Sequence, residues 1–302
     1  MSNNTLWQDI KRTILRSNTA VQQLIVINIA VFLIIAVARL FFWLAGQPLG
    51  SYYYSEYLAV PSDIKSLLYH PWTIVTYMFT HGEVMHILFN MLVIYWFGKI
   101  LTEFVGNRKI FPIYLLGGFS GALLFIICYQ LFPVFHAALP EARAWGASAS
   151  AMAIMVAAAT LVPDYTMFLL FLGPVKIKWI ALFTVVLDFI SIPSSNAGGH
   201  IAHLGGALFG FVFIRQMQQG RDLSTGINWL VDETVNMFRP GKTMKVAHRT
   251  KEKPVKATIH KATNVPTKQD RLDSILDKIA HDGYDSLTKE EKEFLFQVSK
   301  ED

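Results

Sequence analysis

Three polar clusters stand at the edges of apolar stretches in this chain: His81, His86 and Asn90; Gly146, Ala147 and Ser148; and His200 and His203. Polar side chains in apolar segments of this kind are costly and read first as functional. A serine at a helix start beside a histidine is a nucleophile and base pair. The imidazole takes the hydroxyl proton and later returns it to the leaving amine. An orienting carboxylate usually completes such a set. The nearest one, Asp188, falls in a different apolar stretch, so the expectation is a two-residue dyad. His86 and Asn90 stand at i and i+4, on one helix face. With the backbone N–H groups of Ser148 and Ala147 they form a donor set suited to an oxyanion. Ser150 is the rival nucleophile, but two positions along a helix turns it about 200° away from Ser148. A serine at a helix start is ordinarily a cap, and a lone membrane histidine ordinarily a packing residue. The coincidence of all three clusters is what favours chemistry.

A metal site is the competing reading of the same histidines. His81, Glu83 and His86 look like a zinc helix motif, which needs its histidines four apart and a glutamate directly after the first. Here the histidines are five apart and Gly82 intervenes. His200 and His203 share a face, with no further ligand evident. A metal site is not expected.

The elements that must hold these residues are membrane helices. The chain has 302 residues, 53% hydrophobic and only 16% charged, where a soluble domain carries about 25% charged. Most of the charge follows residue 214, which excludes both a water-soluble globule and a disordered chain for the first two thirds. Six spans are expected: Leu24 to Ala45, Val84 to Phe104, Phe111 to Phe132, Ser148 to Val162, Trp179 to Ile192 and Ile201 to Ile214. The first is long for a signal peptide and lacks a cleavage site, so it is expected to be retained. The fourth is short and rich in alanine, which suits the centre of a bundle. Gly117 with Gly121, and Gly206 with Gly210, are small-xxx-small pairs marking close helix contacts. The loop from Gly46 to Thr80 is rich in aromatics and is expected at the headgroup level.

Lys11, Arg12, Arg16, Arg108, Lys109, Lys176, Lys178, Arg215 and Arg221 all fall on one side of a six-span chain, against Lys65 and Arg143 on the other. The positive-inside rule then places both termini in the cytoplasm. Spans two, four and six enter from the external side, so the three polar clusters meet at one end of the bundle and at similar depth. The basic balance, net +5, reads as topology and not as nucleic-acid binding. The single cysteine, Cys128, permits no intrachain disulfide. The chain divides into an N-terminal segment 1–23, a membrane domain 24–220, a linker 221–270 that is strongly basic from Gly241, and residues 271–302, which show helical spacing at Leu272, Ile275, Leu276 and Ile279 and a capping box at Thr288 and Glu291.

His81-Gly-Glu-Val-Met-His86-Ile-Leu-Phe-Asn90, then Gly146-Ala147-Ser148, then Ala202-His203-Leu-Gly-Gly206 with Gly210, resemble in order and spacing the rhomboid intramembrane serine proteases. The resemblance covers about Leu24 to Arg215, with support from Asn28, Pro71-Trp72-Thr73 and Glu103 through Tyr114. It implies an all-α bundle of six transmembrane helices in which Ser148 is the nucleophile, His203 the general base, and His86 and Asn90 the oxyanion side chains. His81 would organise hydrogen bonds, Glu103 would anchor the cytoplasmic end, and His200 would be structural. It also implies no cofactor and substrates that are membrane proteins, cut in or near their spans after a small residue. The two-helix tail is similar to one found after the rhomboid core in Bacteroidetes-type sequences. The expected place is a bacterial plasma membrane, with lipid as neighbour, no nucleic-acid partner, and an unidentified partner for the tail. Ala149 departs from the family pattern, which has glycine there. A catalytically weak relative that binds and escorts membrane proteins is the alternative. A transporter would spread its polar residues along a path instead of clustering them at one end.

Overall fold

The computed structural model describes residues 19–47, 50–194, 196–238 and 268–299. The chain forms two compact units, Met1–Gly241 and Lys242–Asp302. The basic residues Lys11, Arg12 and Arg16, and the basic linker up to residue 267, lie outside the described residues.

The first unit opens with helix α1 (Ala20–Leu44), capped by the Thr19 hydroxyl, which accepts from the Gln22 N–H. Short elements follow: α2 (Gly50–Leu58), β1 (Val60–Pro61), α3 (Ile64–Tyr69) and α4 (Thr73–Thr76). The aromatic loop is thus largely folded. Trp72 Nε1 donates to Tyr57 O at 2.8 Å and Thr76 Oγ1 to Leu58 O at 2.9 Å. Two long helices come next, α5 (Val84–Val105) and α6 (Ile110–Leu131). Strand β2 (Arg143–Ala144) pairs antiparallel with β1, with Val60 opposite Ala144, and leads into α7 (Ser148–Leu161). A hairpin of β3 (Thr166–Leu169) and β4 (Gly173–Lys176) joins α7 to α8 (Ile177–Ser191). Helix α9 (Ala197–Gln218) and helix α10 (Thr225–Phe238) complete the unit.

Among the described residues four segments are long and apolar enough to cross a membrane: α1, α5, α6 with the turn before it, and α9. The other two expected spans are shorter. At 1.5 Å per residue α7 and α8 reach about 21 and 22 Å, short of the ~30 Å hydrocarbon core. Helix α7 has little need of lipid, because ten of its residues are buried among other helices. Helix α8 buries only Ile177, Ala181 and Asp188. It presents Phe183, Leu187, Phe189 and Ile190 outward.

Glycines set the depth of α7 in the bundle. A methyl added to Gly206 of α9 would lie 2.0 Å from Ala149 O, and one on Gly210 would lie 2.2 Å from Ala153 O. Across the helix, a methyl on Gly117 or Gly121 of α6 would collide with the Cβ of Ala153 or Ala149. Helix α7 is therefore gripped between α6 and α9 at backbone-contact distance, the arrangement that small residues permit. The Ala149 side chain, 1% exposed, occupies this interface beside Gly121. Its methyl group faces α6 and not the cavities described below.

At the opposite end of the bundle, Arg108 pairs with Asp232 and Lys109 with Asp222, and Lys109 Nζ also donates to Ser224 Oγ at 3.0 Å. Lys109 and then Ser224 hold the Asp222 carboxyl down to about 2. These contacts tie the segment after α9 to the turn between α5 and α6. The expected linker 221–270 is thereby corrected: its first part is the helix α10, whose Asp232 is held by Arg108.

In the second unit, α11 (Lys268–Asp282) ends at Gly283, which has φ +80°, and α12 (Lys289–Val298) starts with the Thr288–Glu291 capping box. Ile275 and Leu287 are buried. Lys278 Nζ reaches Glu291 at 3.0 Å, and Arg271 lies over the Phe294 ring. The first helix begins at Lys268, three residues before the expected start.

Candidate active site

The loop that delivers Ser148 is held by backbone contacts. The Gly146 N–H donates to Tyr77 O at 2.8 Å, one step after the β1–β2 pairing. Gly146 has φ +122°, and a methyl there would lie 2.7 Å from the His86 ring. Glycine is required on both counts, since the conformation disfavours a side chain and His86 covers the α-carbon. Ser148 then opens α7, where first-turn N–H groups have no intrahelical partner.

Two cavities meet at this serine. One, of about 310 Å³, is apolar and runs between α5, α7 and α8, past Val93, Trp96, Met152, Met155 and Ile180. The other, of about 520 Å³, is polar and is walled by Arg39, Glu83, Arg143 and Asn196. Ser148 and His203 are the two residues that line both. Ser148 Oγ makes no hydrogen bond to His203 among the described residues. Catalytic contacts of this kind are often loose before substrate arrives.

The expectation of a histidine without a carboxylate is corrected. His203 Nδ1 stands 2.9 Å from Asp188 Oδ1, and His200 Nδ1 stands 2.7 Å from the same oxygen. Asp188 is 7% exposed, and its Oδ2 has no partner among the described residues. His200 is thus part of the same polar group, beyond the bystander role the resemblance implied. The overlooked signal was depth. Span five leaves the bundle at the end where span six enters, so a carboxylate near the end of α8 lies level with the start of α9.

The other sequence-derived residues converge at the same end. His81 is fully buried, and its Nε2 stands 3.1 Å from Asn90 Nδ2 and 3.3 Å from the Ala147 N–H. It packs edge-on to His86, with ring centroids 5.2 Å apart. His81 therefore organises hydrogen bonds, joining α5 to the serine loop. The same contact corrects the place of Ala147 in the oxyanion set, because its N–H is committed to His81. The donors flanking Ser148 are His86 from the polar cavity, Asn90 from the apolar one, and the Ser148 N–H itself. Ser150 lines neither cavity and is fully buried, its Oγ without a partner among the described residues. Gly206 and Gly210 act one helix away by letting α9, which carries His203, approach α7. Arg39, an interruption of the first span in sequence, donates to Gly82 O at 2.9 Å and lies over Tyr54, so α1 is tied to the loop before α5.

Residues 69–218 match the family described as Rhomboid domain. This stretch is similar to that family. Residues 258–301 match a second family, described as a family of unknown function (DUF6576). Among similar curated proteins, RHOMBOID-like protein 12, mitochondrial, of Arabidopsis thaliana is 27% identical over 161 residues, covering 49% of this chain and 47% of that protein. Presenilin-associated rhomboid-like protein A, mitochondrial, of Danio rerio is 30% identical over 140 residues, covering 45% of this chain and 35% of its own length. The chain therefore spans less than half the length of these curated relatives. Four membrane-length helices among the described residues, with the rhomboid-like region, make this a multi-pass membrane protein built as an all-α bundle.

Proposed function

We propose that this chain is an intramembrane serine endopeptidase that cuts membrane-anchored proteins in or near their spans. One observation carries the reading: Ser148 and His203 stand where a polar cavity and an apolar cavity meet. Hydrolysis of a membrane segment needs both water and an apolar seat at the same hydroxyl. A substrate segment would enter between α5 and α8, unwound locally, since a helical backbone hides its carbonyls in its own hydrogen bonds. Ser148 Oγ attacks the exposed carbonyl carbon while His203 Nε2 takes its proton. The oxyanion forms against His86, Asn90 and the Ser148 N–H. The amine leaves with the proton from His203, and water from the polar cavity then frees the acyl group from Ser148.

The positive-inside pattern supports a site facing the external side and a cytoplasmic face that carries Arg108, Lys109, Lys176 and Lys178. We propose a bacterial plasma membrane as its place, with both termini cytoplasmic. The relatives named above are designated mitochondrial, and the two membranes share the topology rule.

The test is cleavage of a single-span substrate by the purified full chain in liposomes. Ser148→Ala and His203→Ala are each expected to lower the rate by at least about 10³-fold. Ser150→Ala should change it by less than about threefold, because its hydroxyl is buried away from both cavities. Folded wild type that cuts nothing across a panel of single-span substrates would sink this reading and favour the binding-and-escort role.

A further inference from the structure

We propose that Asp188 positions the general base, so that the site works as a Ser148–His203–Asp188 triad; this deepens the protease reading and rests on it. A carboxylate in a membrane bundle is expensive, and its presence calls for a named partner and a role. Asp188 has two histidine partners. His203 Nδ1 at 2.9 Å and His200 Nδ1 at 2.7 Å converge on its Oδ1. A carboxylate oxygen only accepts, so each Nδ1 carries a proton. With Asp188 ionised, this contact selects the tautomer of His203. With Nδ1 protonated, the lone pair is on Nε2, the nitrogen left to serve Ser148 in the two cavities they share.

The same contact has a second consequence. When His203 takes the serine proton, the ring becomes a cation in a setting of low polarity. A carboxylate 2.9 Å from Nδ1 stabilises that cation without moving. His200, one turn before His203 on α9, holds the same carboxylate oxygen with a second hydrogen bond. Because Oδ2 has no partner among the described residues, these two bonds are what fix the group.

A bound divalent cation is the competing use of Asp188, His200 and His203, whose ligand atoms lie within 4.8 Å of one another. The distances favour hydrogen bonds. Two ligands on one tetrahedral zinc, each at about 2.0–2.1 Å, stand roughly 3.3 Å apart, and the N···O separations here are 2.9 and 2.7 Å.

The experiment uses the full chain in liposomes with a single-span substrate, reading kcat and KM separately, together with labelling of Ser148 by a fluorophosphonate and the unfolding midpoint. Asp188→Asn is expected to lower kcat by about 10²–10⁴-fold, with KM within about twofold and labelling slowed in parallel. An asparagine can offer N–H to Nδ1 and so favours the wrong tautomer. Asp188→Glu should recover part of the loss, and His200→Gln should cost less than about tenfold. A folded Asp188→Asn protein with kcat within about threefold of wild type would overturn the proposal. A second measurement needs no Asp188 variant: ¹⁵N spectra of the histidine-labelled wild type, with His203 assigned from the His203→Ala variant. The expected result is a neutral His203 protonated on Nδ1, and protonation on Nε2 overturns the proposal. If wild type neither cleaves nor is labelled, the protease reading itself has failed, while the spectra still report on the Asp188–His203 bond.

Discussion

Helices α1 and α7 are opposite answers to the same environment. Helix α1 is 25 residues long and apolar, and of these it buries only Ala20, Val21, Leu24, Asn28 and Ile35. Helix α7 is the shortest of the six apolar helices at 14 residues, and ten of them are buried. Yet α7 carries the serine, while α1 contributes Arg39 to one cavity wall. Hydropathy measures how much lipid a helix meets. A helix surrounded by other helices gains instead from close backbone approach, and so it is built of alanine, serine and methionine. In this molecule the least conspicuous span is the one that sets the site.

The grip on α7 is the sharpest place to break that comparison. Gly206→Val should have the largest effect, because even a methyl would lie 2.0 Å from Ala149 O. Driving α9 off α7 moves His203 away from Ser148. Cleavage is expected to fall by at least about 100-fold, with a loss of about 1–3 kcal/mol or more in unfolding. Unchanged activity and unfolding midpoint would mean that α7 is not gripped. A smaller effect is expected of Ala149→Gly, which restores the family's usual residue. It removes a methyl packed against α6 and adds a helical glycine, so the cost is about 1 kcal/mol, with the cleavage rate within about threefold. A large gain in rate would show that Ala149 restrains the site after all. The smallest effect belongs to α1. Phe41→Ala and Trp43→Ala alter outward side chains, 67% and 70% exposed. Unfolding in detergent should shift by less than about 0.5 kcal/mol for each. A large shift would reveal a contact that this comparison omits.

Legibility followed the same divide. The six apolar helices were readable because length and hydropathy are local properties, though α8 and α9 each begin a few residues before the expected starts. His86 and Asn90 were readable as a pair because a helix repeats every 3.6 residues. The set around His81 was readable only in part. The sequence places His81 beside the site, but not which donors its ring would claim, and one of those is the Ala147 N–H. For Asp188, span parity gives the depth but not the rotation of α8 against α9 that brings its carboxylate to His203.

Residue types and their order determined the membrane bundle, the end of it where the polar clusters meet, and the candidate pair Ser148 and His203. Those conclusions need only span parity and helical period, which neighbouring residues settle among themselves. The tertiary structure decided the partner of His203, the commitment of the Ala147 amide, the fit of Ala149 against Gly121, and the two cavities sharing one serine. Each depends on the rotation and separation of packed helices. Contacts such as Gly206 on Ala149 O set these at sub-ångström tolerance, and no local pattern encodes them.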